Sequence, residues 1–380
     1  MPPIVVVPAV VGPAGRHVRR RPALRRLAQR SALVAIGLAA ALLFLEIVFR
    51  WLIPAAERPA PISKPPDIVA KYETGTGTYT LGPWAAQRGR WRINDQGWNN
   101  LRDYHRHDGK HTIAILGDSY VEAFHVDIDR AFFSILDEDL GPQVAVYSFG
   151  RAGAPLSQML HLSRSVARDF DPQTMVFVVV HNDFDQSLER LNPWRTDFMT
   201  VDLTGSVPRE IPPTPRTLGN GRRWVKKSAI VRYLFYNLQI SAVLQQIGIR
   251  GKTQGIPVSY DRQVLDHLDE IERLVDLVVG RLRAENPNRR LIFLMDAPRS
   301  EIYASKLTEA DHLLVLNRMM KEATRRHGCE WLDLTTPMAQ EYAIRGVPFN
   351  SNLDYHWNET GHALVARELH RMISKLPGER

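Results

Sequence analysis

The chain has 380 residues, of which 44% are hydrophobic, enough for one sizeable core with accessory segments. Its formal net charge of +8 is concentrated at one end. Residues 1–30 contain seven arginines and no acid, and subtracting these seven charges leaves only +1 on residues 31–380. This near-neutral body has no basic patch interleaved with aromatic residues, which argues against a nucleic-acid partner.

An apolar run follows the arginines. Residues 31–49 hold one charge, Glu46, and at about 1.5 Å per residue they would cross most of a hydrocarbon core of roughly 30 Å. The arginine-rich flank predicts a basic cytoplasmic tail at 1–30, a transmembrane anchor at 31–53 and all later residues outside the cytoplasm. A cleaved signal peptide and a buried core helix are the alternatives.

Cysteine and histidine usage limits the chemistry. Cys329 is the only cysteine, so an exported domain would fold without an intramolecular disulfide. The thirteen histidines lack the spacing of metal ligands, and we expect neither a metal nor another cofactor.

Residues 54–94 are predicted to be a Pro-rich stalk and linker, with 54–70 stiff, extended and lifting the following domain off the membrane. From residue 95 to 380, strands and helices alternate. The predicted strands are HTIAIL, VAVYSFG, TMVFVVVH, RRLIFLMD and CEWLDLT. The predicted helices fall at 119–140, 157–170, 264–285, 316–328 and 358–376. Apolar strands alternating with amphipathic helices predict a three-layer α/β/α sandwich with a mainly parallel sheet.

The alternation breaks at about 188–260. This insertion is rich in Pro, Gly and basic residues, and its segment 229–248 has the pattern of an amphipathic helix. It could form a lid over a site, a surface that touches the membrane, or a packed decoration without a direct role.

The stretch ILGDSYVE, residues 115–122, ends a predicted strand in Gly-Asp-Ser. In one interpretation Ser119 only caps the next helix, since Ser119 and Glu122 have the spacing of a capping box. In the other, Ser119 is a nucleophile at the carboxyl edge of the sheet, where ligands bind in such folds. Three further strand ends favour the second interpretation.

Polar groups follow each of these three strands. SFGRAGAPLSQ contains Gly150 and Gly153, either of which could present a backbone N–H in a tight turn. HND presents the side-chain amide of Asn182. LDYHWNETGH carries Asp354 and His356 on one face of an extended segment. A serine, two oxyanion donors and an Asp-His pair on one rim are the parts of an acyl-transfer site.

In this order, the motifs resemble those of the SGNH/GDSL hydrolase superfamily of serine esterases, lipases and acyltransferases, over roughly residues 95–375. The matching blocks are Gly117-Asp118-Ser119, the turn holding Gly153, Asn182-Asp183 and Asp354-Tyr355-His356. The resemblance implies a flavodoxin-like fold in which Ser119 is the nucleophile, His356 the general base and Asp354 its orienting acid. It further implies an oxyanion hole formed by the N–H groups of Ser119 and Gly153 and the amide of Asn182.

Two positions depart from the family pattern. Val180 stands where a glycine is usual, and one residue, not two, separates Asp354 from His356. The shorter D-x-H-W form resembles that of polysaccharide O-acetyltransferases in the same superfamily. If it failed to orient the imidazole, another acid would have to serve.

Five other polar residues invite interpretation. We expect His362 to be a surface or packing histidine, Asn358 to cap the closing helix, and Asp183 to support its loop. His181 either touches substrate or is structural. Asp296 either faces the rim or caps the following turn.

Together these features predict a single-pass protein of the bacterial inner membrane, with an SGNH-like serine esterase domain facing the periplasm or cell exterior. The expected substrate is an O-acetylated glycan of the envelope or a secreted one. Transfer of an acyl group onto such a glycan is an alternative, as is a non-catalytic SGNH-like glycan-binding or assembly protein. The sequence does not identify any protein partner.

Overall fold

Parallel strands form the centre of the fold in the computed structural model, which describes residues 21–63, 68–106, 109–194, 196–215, 227–240, 266–308 and 312–374. The strands are β1 (Pro61–Ile62), β2 (Lys71–Tyr72), β3 (Gly75–Leu81), β4 (Gln87–Ile93), β5 (His111–Gly117), β6 (Val144–Gly150), β7 (Thr174–Val179), β8 (Thr200–Asp202), β9 (Arg209–Ile211), β10 (Arg290–Met295) and β11 (Glu330–Asp333). The α-helices are α1 (Arg21–Ile47), α2 (Ser119–Glu122), α3 (Phe132–Leu140), α4 (Leu156–Phe170), α5 (Ala229–Arg232), α6 (Leu268–Glu285), α7 (Arg299–Tyr303), α8 (His312–Arg326), α9 (Thr335–Arg345) and α10 (Glu359–Ile373).

The central sheet has the strand order β11-β10-β7-β5-β6, and every neighbouring pair is parallel. Because side chains alternate along a strand, one set of residues faces each side of the sheet. Ala114 and Leu116 of β5 pack with α4, α6 and α8, whereas Ile113 and Ile115 pack with α3, α9 and α10. The predicted three-layer α/β/α sandwich is therefore confirmed, and the carboxyl ends of its strands share one edge.

The strands of the sheet agree with the apolar runs in the sequence, but the helix predicted at 119–140 is interrupted. Helix α2 is only four residues long, because Ala123 adopts a left-handed conformation (φ 53°) and ends it. A loop with a 3₁₀ turn at Ile128–Arg130 follows, and α3 begins at Phe132. The broken helix places residues 123–127 beside the carboxyl edge of the sheet.

The predicted stalk packs against the domain in the part that the structure describes. Ala55 and Ala56 are buried, and β1 pairs with β2 in an antiparallel ladder. Glu57 N donates to Thr78 O at 2.8 Å, which joins the segment to the β3–β4 hairpin. Residues 54–63 therefore pack against the domain and do not form a free, extended spacer.

Helix α1 continues into a π-helical turn at Val48–Leu52. Within the described residues, Arg25–Leu52 is the one helix long and apolar enough to cross a membrane, and none of its most apolar window is buried in the protein. Residues 1–20 of the predicted cytoplasmic tail lie outside the described residues.

The insertion contains the β8–β9 hairpin and the short helix α5, which runs into a π-helical turn at Tyr233–Asn237. Residues 216–226 and 241–265, including the second half of the predicted amphipathic helix, lie outside the described residues.

Candidate active site

Ser119 is the first residue of α2, directly after β5. The predicted capping box is wrong, because the N-cap is Asp118, whose Oδ1 accepts from Tyr120 N at 2.9 Å. Glu122 does not reach back to the start of the helix; it accepts hydrogen bonds from the hydroxyl of Tyr72 and from Ala152 N. Ser119 is thus not needed as a cap, and its half-buried side chain faces the carboxyl edge of the sheet.

Asp354 and His356 form a local turn that explains their short spacing. The carboxylate oxygen Oδ1 of Asp354 accepts from the backbone N–H of His356 at 2.9 Å and also contacts Nδ1 of the same residue. A side chain that accepts from the N–H two residues later is an Asx turn, and here it also fixes the imidazole. The Asp-x-His spacing therefore orients His356 without help from another acid.

The imidazole of His356 joins Asp354 to Ser119. Its Nε2 lies 2.7 Å from Ser119 Oγ, while Nδ1 faces Asp354. Burial alone would raise the pKa of Asp354, but the hydrogen bonds that its carboxylate accepts from the side chain and backbone of His356 hold the pKa below its ordinary value. An ionised carboxylate on Nδ1 leaves Nε2 as the acceptor for the serine proton, which is the arrangement that activates a hydroxyl for nucleophilic attack.

His125 is a residue of this site that the sequence analysis missed. Its ring stacks on that of His356, with centroids 3.6 Å apart and planes 12° from parallel, and its Nε2 lies 3.3 Å from Asp354 Oδ2. Burial and the nearby His356 hold the pKa of His125 well below its ordinary value, so this ring is neutral at pH 7. Asp354 is consequently held between two imidazoles, one at each carboxylate oxygen.

The predicted oxyanion donors belong to residues around the same cavity. Ser119, Gly153 and Asn182 all line it, and Gly153 has the positive φ of 77° that a glycine adopts readily. Gly150 has a packing role, since a Cβ there would lie 2.0 Å from Glu122 N. Because Glu122 accepts from Ala152 N at 2.9 Å, this buried carboxylate also holds the loop that carries Gly153.

The cavity has a volume of about 680 Å³ and opens at the carboxyl edge of the sheet. Aromatic and aliphatic side chains contribute much of its wall, together with two arginines. Its further lining includes Arg58, Tyr72, Tyr79, Leu81, Phe124, Arg151, Tyr236, Gln239, Leu353 and Tyr355. A ligand of several sugar rings or a short acyl chain would fit a space of this size.

A buried network supports the segment that carries His356. Asp296, fully buried, accepts from Trp357 Nε1 at 2.9 Å and pairs with Arg299 at 3.0 Å. Arg299 in turn donates to Tyr120 Oη at 2.6 Å, and Tyr120 Oη donates to Tyr355 O at 3.0 Å. Asp296 therefore neither faces the rim nor only caps a turn; it connects the neighbours of Ser119 with those of His356.

The other candidates have structural positions. His181 is buried and contacts Asn317 Oδ1 through Nε2 at 2.9 Å, and Asp183 Oδ2 accepts from Val180 N at 3.0 Å. His362 is buried, with Nδ1 accepting from Phe132 N at 3.2 Å, so it is a packing residue. The prediction that Asn358 caps the closing helix is confirmed by its acceptance of Gly361 N at 3.0 Å.

One group in the described residues brings potential metal ligands together, and it is the group already described: His125, Asp354 and His356, whose ligand atoms lie within 4.8 Å of one another. The two imidazoles are stacked in parallel, and Nδ1 of His356 already faces Asp354. Parallel rings direct their lone pairs side by side, not toward a common point. This geometry suits proton transfer better than tetrahedral coordination.

Comparison with known proteins finds no matching family model and no matching curated protein. Among solved structures, a lipolytic protein of the G-D-S-L family from Veillonella parvula matches with 12% identity and a TM-score of 0.38, covering 70% of this chain and 99% of that one. A lipase/acylhydrolase from Enterococcus faecalis matches with 11% identity and a TM-score of 0.37, covering 69% and 95%.

An acetyl xylan esterase matches with 12% identity and a TM-score of 0.38, covering 69% of this chain and 99% of that one. Identities and TM-scores at this level carry no argument about activity. The case for a function therefore depends on the site itself.

Proposed function

We propose that this protein is a membrane-anchored serine ester hydrolase that removes O-acyl groups, acetyl above all, from a glycan of the cell envelope or a secreted one. The observation that carries this proposal is the chain of contacts from Ser119 Oγ through His356 to Asp354 at the floor of an open cavity.

In the proposed reaction, Nε2 of His356 takes the proton of Ser119 as Oγ attacks the ester carbonyl. The resulting oxyanion is stabilised by donors from Ser119, Gly153 and Asn182, of which each is worth on the order of 10² to 10³ in rate. Collapse of the tetrahedral intermediate expels the sugar hydroxyl, which receives the proton from His356, and leaves an acyl group on Ser119. Water, deprotonated by His356, then attacks the acyl carbonyl; the bond to Ser119 Oγ breaks, Oγ takes back the proton from His356, and the carboxylic acid leaves.

The glycan part of the proposal comes from the location of the site and the shape of the cavity. A single-pass anchor would keep the enzyme at the envelope. The cavity wall combines Tyr72, Tyr79 and Tyr236 with the guanidinium groups of Arg58 and Arg151, which lie over these rings and can donate to sugar hydroxyls. Such a wall is wider than a small acyl group requires.

Hydrolysis of p-nitrophenyl acetate and acetylated xylan by the full-length protein, solubilised in detergent, tests this function. Ser119→Ala and His356→Ala are expected to abolish turnover. Ser374→Ala and His370→Ala, which change the same residue types away from the cavity, should retain it. Turnover that survives in Ser119→Ala would contradict the proposal. Acetyl transfer onto an added oligosaccharide in place of hydrolysis would change the reaction from hydrolysis to transfer.

A further inference from the structure

Glu46, the single charge within residues 31–49, contacts the domain through both carboxylate oxygens. Oε1 accepts from Ala229 N at 2.9 Å, and Oε2 accepts from Ser228 Oγ at 3.0 Å and Ile230 N at 3.2 Å. The carboxylate also pairs with Arg50, one turn further along the anchor. A carboxylate near the end of an apolar span is costly unless it is paired, and these contacts supply its partners.

Phe49 makes the second contact between the anchor and the insertion. Its ring stacks on Tyr233 with centroids 4.0 Å apart and planes 14° from parallel. Ile53, Ala55 and Ala229 complete a small apolar cluster around this pair. The end of the anchor and the segment 228–239 therefore share a core of their own, which we call the junction.

The junction continues directly into the wall of the cavity. Asn237 is buried; its Oδ1 accepts from Ala56 N at 3.0 Å and its Nδ2 donates to Thr80 Oγ1 at 2.9 Å. On either side of Asn237, Tyr236 and Gln239 line the cavity that contains Ser119. Tyr236 lies three positions after Tyr233, the partner of Phe49, so cavity and anchor are about one helical turn apart.

Large apolar side chains are exposed around this junction. Trp51 and Leu52, at the end of the anchor, are 76% and 71% exposed, and Trp84 is 74% exposed. Trp84 N donates to Tyr233 Oη at 3.1 Å, which places this residue beside the junction. Exposed tryptophans next to a membrane-spanning helix are typical of the lipid–water interface.

We infer that the anchor is a structural part of the substrate cavity, and that the cavity opens at the lipid surface, where its glycan ester is presented. The identity of the ester rests on the proposed function. The contacts of the junction, and the contact of the junction and Trp84 with lipid, do not depend on that function. Removal of the anchor, or loss of its contacts at Glu46 and Phe49, would release the cavity wall formed by Tyr236 and Gln239.

Hydrogen exchange of the full-length protein in phospholipid nanodiscs tests the junction. Glu46→Ala and Phe49→Ala are compared with Leu38→Ala, a matched change on the same helix at a side chain that is 61% exposed. Loss of the charge-assisted hydrogen bonds in Glu46→Ala, or of the ring stacked on Tyr233 in Phe49→Ala, should make the amides of residues 229–238 exchange about tenfold faster or more. The Leu38→Ala variant should match the wild type, and unchanged exchange in the other two would overturn the inference.

Three further readouts separate the parts of the inference. The KM for acetylated xylan should rise in Glu46→Ala and Phe49→Ala, whereas labelling of Ser119 by a small fluorophosphonate should persist. Faster exchange in a protein that hydrolyses no ester would overturn the proposed function and leave the junction standing.

In brominated phospholipid, Trp84→Phe should lower the quenched fraction of tryptophan emission, and Trp331→Phe should not. Equal effects of the two substitutions would refute contact of Trp84 with lipid.

Discussion

Replacement of His125 tests whether the second imidazole positions Asp354. His125→Phe keeps a ring able to stack on His356 and removes the Nε2 contact of 3.3 Å with Asp354 Oδ2. An interaction with a buried charged group is worth about 1.5 kcal/mol at the lower end of its range, which corresponds to roughly tenfold in rate. We therefore expect kcat for p-nitrophenyl acetate to fall about tenfold in His125→Phe, with KM nearly unchanged.

Two companion variants make this prediction specific. His125→Gln can still donate an N–H to Asp354 and should recover part of the lost kcat. His125→Ala removes both the contact and the stacked ring, so His356 gains room to rotate and kcat should fall further than in His125→Phe. A kcat in His125→Phe within about twofold of the wild type would refute a positioning role, because an effect on rate below about 0.5 kcal/mol is less than a hydrogen bond to a charged group supplies. Equal kcat values in His125→Phe and His125→Gln would refute it as well.

Three other substitutions probe the surroundings of the site. Gly150→Ala should destabilise the protein by about 3 kcal/mol or more, because its Cβ would lie 2.0 Å from the backbone nitrogen of Glu122; a thermal unfolding midpoint equal to that of the wild type would contradict this. Asn358→Ala should cost about 1 kcal/mol of unfolding free energy by removing the cap of α10, whereas Asn358→Ser should cost less. Burial lowers the pKa of His362 from 6.5 to about 3. Between these two pH values the unfolded chain binds a proton at this residue that the native state does not bind. The free energy of unfolding therefore falls as the pH falls. Denaturant titrations from pH 7 to 4 should show a loss of about 1.4 kcal/mol per pH unit below 6.5 from this residue, and a His362→Asn variant with an undiminished slope would contradict it.

The strands and the order of the site residues were predictable from the sequence, because both depend on local patterns. Burial on both faces of β5 and β7 appears as continuous apolar runs, and each proposed site residue lies two or three positions after a strand or in the last loop. The carboxyl ends of parallel strands meet at one edge, so the sequence order alone places these residues near one another.

The residues that the sequence did not indicate depend on contacts between distant segments. His125 belongs to a loop without periodicity, and its proximity to Asp354 follows from the early end of α2 at Ala123. Similarly, the Pro-rich segment has the composition of a spacer, yet Ala56 bonds to Asn237, a residue 181 positions away. Neither composition nor periodicity carries information about such pairs.

The predicted capping box shows how a local pattern can mislead. Ser119 and Glu122 have the correct spacing, but Asp118, one residue earlier and about as favourable an N-cap as serine, takes that role. Glu122 is then available for the hydroxyl of Tyr72 and the loop at Ala152. The chain thus begins a helix at Asp118 and leaves Ser119 available as a nucleophile. The cap formed by Asp118 and the tertiary contacts of Glu122 together distinguish the two interpretations.

Labelling of the full-length protein with a fluorophosphonate, followed by peptide mass spectrometry, tests the central claim most directly. The account predicts one adduct per chain, located on Ser119, absent from Ser119→Ala, and formed at least about 100-fold more slowly in His356→Ala, since a general base contributes 10² or more. The control variant Ser374→Ala should label like the wild type. An adduct on another residue, or a His356→Ala variant that labels at the rate of the wild type, would contradict a serine nucleophile activated by His356.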